Sequence, residues 1–234
     1  ITSVPLVFGI GVAYGLTPLV ARAYGQKRWG KAYRLLKNST LINLLTSVIM
    51  FLFAWLLFLF VQNTNQSIEV IEESKVYLIL IMISYIPFML FLSGKQYLEG
   101  MGDTSTPMRI SLIGNLLNVL LNGLLIFGLF YFPVLGIIGA GIATIIARII
   151  MAIHVWYFVF EKRNNYKIVQ DNVMISIRAI RSLLKLGLPS GLQYVFEVSA
   201  FAASAWIIGT YGPRQLAAHQ IAINLASISY MAAT

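Results

Sequence analysis

Apolar residues run through this chain in long blocks. A window of about 20 residues, the length at which a helix crosses a hydrocarbon core, finds seven of them. They cover residues 1–21, 39–61, 76–94, 108–132, 135–160, 183–209 and 213–234. Short connections separate them, apart from one longer polar stretch at 161–182. In the sixth block the polar positions recur at helical spacing. Ser190, Gln193, Glu197 and Ser204, with Ala200 between, share one face, while Leu, Val, Phe, Trp and Ile fill the others. Glu197 is the one acid in that block. A carboxylate at bilayer depth costs roughly 2.5 to 3.5 kcal/mol, so Glu197 is expected to look inward, toward a cavity, a partner or a bound cation.

A second polar stripe lies in the fourth block, where Ser111, Asn115, Asn118 and Asn122 are spaced four, three and four apart. Three carboxamides in one span either bridge neighbouring helices or line a cavity and coordinate a cation. Thr144 and Arg148, four apart, share a face of the fifth block. Arg148 is a counter-charge for an acid, a snorkelling side chain, or a tie that holds lobes together through backbone contacts. Gly187, Pro189 and Gly191 are expected to interrupt the sixth helix near its start. Pro133, Gly136, Gly139 and Gly141 open the fifth, and Gly9, Gly11, Gly15 and Pro18 loosen the first. Such punctuation serves close helix packing, or the broken helices that recur at transporter sites.

Composition agrees with the pattern. The chain is 59% hydrophobic with mean hydropathy +0.80, and its 11% of charged residues falls far below the quarter or so usual in soluble domains. An all-α, polytopic membrane helical bundle is implied. The net charge of +9 would suit nucleic acid, but its placement argues for topology instead. Fourteen of the 17 basic residues sit in or beside alternate connections, 22–38, 95–108 and 161–182, whereas 62–75 holds Glu69, Glu72 and Glu73 against Lys75 alone. Those three basic loops are expected to be cytoplasmic, in a multi-pass protein of the inner (plasma) membrane with no nucleic-acid partner. The chain lacks cysteine, so neither disulfides nor thiolate metal sites enter. No Gly-rich phosphate loop, HExxH or nucleophile elbow is present, and neither an enzyme nor a cofactor is expected. His219 is expected to be a hydrogen-bonded structural residue or a proton relay, and His154, with Trp156 and Tyr157, part of an interfacial belt.

Six stretches in order resemble the multidrug and toxic compound extrusion (MATE) transporters, within them the NorM-like bacterial branch. They are PLVARAYGQ (18–26), QYLEGMGDTSTPM (96–108), GNLLNVLLNGLLIFG (114–128), PVLGIIGAGIAT (133–144), LGLPSGLQYVFE (186–197) and LAAHQIAIN (216–224). The resemblance implies a two-lobe fold of twelve helices. Starting at Ile1 and ending inside an apolar run, the chain is expected to be part of a longer protein. It would hold helices two to six of the first lobe (1–160), a cytoplasmic linker (161–182), and helices seven and eight of the second lobe (183–234).

The same resemblance implies a Na+- or H+-coupled antiporter that exports lipophilic or cationic organic compounds by alternating access. Residue by residue, Glu197 matches an acid that binds the coupling cation, a possible Na+ ligand, and Asn118, Asn122 and Thr144 match a first-lobe cation site. Some branches carry Asp where this chain has Asn122, and the first-helix Asp of that site is not in this sequence. The substrate cavity is expected to involve Gln193, Ser190, Phe196, Phe201, Arg148 and Asn115, with Tyr194 nearby. Small organic cations and membrane lipids are the expected partners, and a monomer is expected. A lipid-linked oligosaccharide flippase of the same superfamily is the alternative, and it would need several cations in its cavity.

Overall fold

A computed structural model describes residues 3–62, 68–128, 133–166 and 175–233, with side chains over 4–59, 75–128, 133–166 and 175–227. Among these residues every regular element is helical. In chain order they are α1 (Ser3–Tyr14), α2 (Leu16–Gly25), α3 (Trp29–Gln62), α4 (Ile68–Ile83), α5 (Tyr85–Gly100), α6 (Ser105–Phe127), α7 (Gly136–Asn165), α8 (Ile177–Gly209) and α9 (Pro213–Ala233). Six runs are long and apolar enough to cross a membrane: Val4–Gly25, Trp29–Leu59, Lys75–Gly100, Ser105–Phe127, Gly136–Asn165 and Ile177–Gly209. The seventh predicted block forms α9.

Two of the spans are jointed, for one reason. Proline lacks an N–H and its ring clashes with the carbonyl four residues back. Pro18 and Pro87 place that carbonyl on Tyr14 and Ile83, the last residues of α1 and α4. Gly15 and Ser84 fill the joints, the latter fully buried with its hydroxyl donating 2.6 Å to the Ile81 carbonyl. The expected interruption of the sixth block is not found, since α8 runs unbroken through Pro189. The carbonyl that Pro189 displaces belongs to Lys185, an exposed residue in the helix's third turn. Water can satisfy it there, so the helix need not break.

The loops are shorter than hydropathy suggested. The 22–38 connection reduces to a turn between Gly25 and Trp29, and 95–108 to one between Gly100 and Ser105. At the linker α7 continues to Asn165 and α8 begins at Ile177, with 167–174 outside the described residues. Hydropathy measures the bilayer crossing, whereas amphipathic helix ends project beyond it. Glu69, Glu72 and Glu73 likewise fall on α4, though their side chains lie outside the described set.

The bundle has a mainly apolar core threaded by a minority of buried polar side chains, and its outer surface is apolar as well. α5 is its axis, packed by α1, α2, α3 and α7, with Tyr85, Met89, Tyr97 and Leu98 fully enclosed. Asn43 on α3 donates 2.8 Å to the Ser93 hydroxyl, and the Thr17 hydroxyl donates to the Gln96 carboxamide oxygen. Meanwhile Leu45, Leu52, Leu56, Leu116 and Val119 stand exposed, as lipid-facing positions require. α6 packs on α7, and α8 lies along α1. That crossing is made by two pairs of glycines four apart, Gly11 and Gly15 against Gly187 and Gly191. A Cβ on Gly11 would lie 2.5 Å from the Gly191 Cα, so the backbones touch as small residues in membrane helices allow.

The three basic connections meet at one end. Lys162 pairs with Asp103 at 3.2 Å, the Tyr24 and Tyr166 hydroxyls are 3.4 Å apart, and the Ser176 N–H donates 2.9 Å to Asn38 Oδ1. These contacts join the α2–α3 turn, the α5–α6 turn and both ends of the α7–α8 connection.

Candidate functional site

The expected site residues separate into two hollows. The first, about 180 Å³, lies between α5, α6 and α7 and brings together Asn115, Asn118, Thr144 and Arg148 with Phe88. Asn115 and Asn118 come from the stripe predicted in the fourth block, and Thr144 and Arg148 do share a face. Asn122 Nδ2 donates 3.1 Å to Asn118 Oδ1, while Asn122 Oδ1 is enclosed without a partner. The Thr144 hydroxyl is returned to its own helix, donating 2.9 Å to the Ala140 carbonyl.

Arg148 follows none of the three roles expected of it. Its guanidinium donates 2.6 Å to the Ser84 hydroxyl and lies 4.6 Å from the centre of the Phe88 ring. Among the described residues no carboxylate pairs with it. Arg148 therefore ties α7 to the joint between α4 and α5. Its positive charge on the same hollow opposes a bare cation at Asn118 and Thr144.

The second hollow, about 430 Å³, opens between α8 and α9 and is lined by Glu197, Phe201, Ile223, Ala226 and Ser227. Glu197 does face a cavity, as its stripe implied. It is nevertheless exposed within this chain, so the enclosure expected of it is not met by α8 and α9 alone. No basic side chain among the described residues pairs with it. Phe201 accompanies Glu197, but Phe196 is not among the lining residues and is 71% exposed, and Gln193 is exposed too. Ser190 bonds back to the Leu186 carbonyl at 3.0 Å, and Tyr194 lies 5.8 Å from the Tyr14 ring. The single cavity expected from sequence is thus not assembled here.

The histidines divide. His154 is exposed, with Trp156 donating 3.1 Å to the Leu90 carbonyl beside it, in keeping with an interfacial belt. His219 Nε2 is enclosed with no hydrogen-bond partner, unlike the satisfied residue expected.

Sequence reasoning missed the seam between α3 and α5. Asn43, Thr46 and Ser47 on α3 and Ser93 and Gln96 on α5 are all buried, Asn43 donating to Ser93, with Asn43 Oδ1, Gln96 Nε2 and Tyr97 OH left unpartnered. The signal was available, since Ser39, Asn43, Thr46 and Ser47 repeat at the spacing that marked the Asn115 stripe.

An apolar outer surface and six helical runs long and apolar enough to cross a bilayer define a multi-pass α-helical membrane protein. The MatE family model matches residues 1–124, more than half of the sequence, and the chain belongs to that family. It is 34% identical over 236 residues to the probable multidrug resistance protein NorM of Oceanobacillus iheyensis, covering 97% of this chain and 52% of that protein. It is 30% identical over 228 residues to the multidrug resistance protein NorM of Aliivibrio fischeri, covering 97% and 50%. Among solved structures, an outward-facing multidrug resistance MATE transporter of the MOP superfamily superposes with TM-score 0.79 at 21% identity, covering 96% of this chain and 50% of that one. The chain spans about half the length of the curated relatives it matches.

Proposed function

We propose that this chain forms part of a cation-coupled antiporter that exports lipophilic organic cations by alternating access, with Glu197 as the shared site. The observation that carries the reading is a carboxylate without a basic partner among the described residues, on a cleft walled by Phe201 and Ile223. Either a coupling ion, Na+ or H+, or a cationic substrate neutralises that carboxylate, and their mutual exclusion couples the two fluxes. The apolar wall and the Phe201 ring suit an aromatic cation. Placing the coupling ion here rather than at Asn118, Asn122 and Thr144 follows from Arg148, whose charge disfavours a cation in that hollow.

The relatives named multidrug resistance proteins support the substrate class. Residues 1–160 serve as the first lobe, 161–182 as the linker and 183–234 as the start of the second, with the basic end in the cytoplasm and the protein in the inner membrane. A flippase holding a diphosphate would need several cations beside the spans, whereas Arg148 is the one basic residue lining either hollow described above.

The test is efflux of a fluorescent lipophilic cation from vesicles carrying the intact transporter, under an imposed Na+ or proton gradient, with wild type and Glu197→Gln compared. Gradient-driven efflux that the substitution abolishes at equal expression is the expected result and names the ion. Wild-type efflux in the variant would sink the role of Glu197.

A further inference from the structure

A third hollow, larger than the two above, lies where the basic connections meet, away from both sites. It measures about 620 Å³ and is walled by the end of α2, the start of α3 and the first turns of α8. Five cations line it: Arg22, Arg28, Lys31, Arg34 and Arg178. All are exposed, and among the described residues none has a carboxylate at ion-pair distance.

Membrane topology explains why basic residues gather at this end, but not why five of them converge on one concavity. Lys27, Lys37 and Lys185 carry the same topological signal and stay outside it. Like charges drawn around a hollow repel one another, and a polyanion between them turns that repulsion into attraction. The geometry is also fixed beforehand. Asn38, only 2% exposed, accepts the Ser176 N–H through Oδ1 and donates 2.8 Å to the Arg34 carbonyl through Nδ2, so the start of α8 is pinned to α3. Trp29 stacks on Tyr166 at 4.5 Å and meets the Tyr24 ring edge-on at 4.8 Å, which holds the neighbouring turn. Arginines placed this way suit the planar, bidentate contacts that phosphate oxygens accept, and the positive end of the α8 dipole adds to them. Below the rim, Leu19 and Leu35 supply an apolar floor.

We propose that this hollow binds a phosphate group, either the headgroup of an anionic phospholipid or a soluble phosphate, through Arg22, Arg28, Lys31, Arg34 and Arg178. The apolar floor beneath a cationic rim matches a phosphodiester carrying a glycerol backbone, and polybasic clusters at the membrane surface gain affinity for anionic lipid with each cation.

The intact transporter in neutral detergent is titrated with short-chain phosphatidylglycerol, short-chain phosphatidylcholine and inorganic phosphate, each followed by the thermal unfolding midpoint. Two variants remove equal charge: Arg28→Gln, Arg34→Gln, Arg178→Gln together, and Lys27→Gln, Lys37→Gln, Lys185→Gln together. Saturable stabilisation by phosphatidylglycerol is expected, weakened on the order of a hundredfold in the arginine variant and within about threefold of wild type in the lysine variant. Stabilisation by phosphatidylglycerol without inorganic phosphate identifies a lipid site, and stabilisation by both identifies a site for phosphate itself. Equal losses in the two variants, an equal response to phosphatidylcholine, or no saturable response to any probe would overturn the proposal.

Discussion

Arg148 on α7 donates a 2.6 Å hydrogen bond to the hydroxyl of Ser84, the residue that fills the joint between α4 and α5. The two are 64 residues apart in sequence, and the bond locks a half-buried charge onto a break in a neighbouring span. A buried charge is costly to strand and cheap to remove with its partner. Ser84→Ala leaves the guanidinium without that acceptor and is expected to destabilise by about 1 to 3 kcal/mol. Arg148→Met removes the charge, keeps bulk against Phe88, and leaves Ser84 bonded to the Ile81 carbonyl. It is expected to cost less than Ser84→Ala. Thermal unfolding of the purified variants in detergent decides, and the reverse order would refute this account of the pair.

The glycine crossing of α1 and α8 gives a second expectation. A Cβ on Gly11 meets backbone, the Gly191 Cα at 2.5 Å and its nitrogen at 2.6 Å, which no rotamer change relieves. Gly11→Ala must push the helices apart and is expected to cost about 1 to 3 kcal/mol. Gly25→Ala, where an added Cβ finds nothing within 4 Å, serves as the control and is expected to be neutral or slightly stabilising. Equal unfolding midpoints for Gly11→Ala and wild type would show that α8 does not rest on α1 in this way.

What the sequence disclosed and what it concealed divide along the range of the interaction. Periodicity put Glu197 on the polar face of α8 and Thr144 with Arg148 on one face of α7, because a helical face is a local property; how far each face is enclosed is not. It could not find Ser84 as the partner of Arg148, since that pairing depends on how α4, α5 and α7 pack. The proline rule shows the same limit. Pro18 and Pro189 read alike, yet the first joints its span and the second does not, because the carbonyl that Pro189 displaces belongs to the exposed Lys185. Charge counting found the basic end correctly but treated 22–38 as a loop. The helices continue through most of it, and that continuation shapes the basic hollow.

The turn that delivers Arg28 to that hollow carries a strain of its own. Lys27 sits at φ 56°, in the left-handed region that glycine occupies without penalty, as the Arg28 N–H reaches back 3.0 Å to the Ala23 carbonyl. A side chain there costs roughly 1 to 2 kcal/mol. Lys27→Gly is therefore expected to stabilise the protein by about 1 kcal/mol, less than the full strain because glycine also loosens the unfolded chain. A raised unfolding midpoint checks this, and a lowered one would mean that the lysine side chain contributes more than its backbone costs.

Asp103 gives a pH dependence whose sign can be worked out. Partial burial alone would raise its carboxyl. That effect is outweighed by the Thr106 N–H and hydroxyl, each donating at 3.1 Å, and by Lys162, so the group titrates below its ordinary 3.8. A depressed folded value means that the stabilisation is fully present above 3.8 and is lost as pH falls through the lower folded value. Asp103→Asn keeps an oxygen to cap the start of α6 but cannot titrate. The stability of wild type relative to this variant is therefore expected to hold steady from neutral pH to about 4 and to shrink below it. Asp103→Ala removes the cap as well and is expected to cost about 1 kcal/mol at neutral pH. Unfolding midpoints for the three proteins across that range provide the check. A difference between wild type and Asp103→Asn that stays constant down to the lowest pH would show that Lys162 and Thr106 do not hold the carboxylate in its charged form.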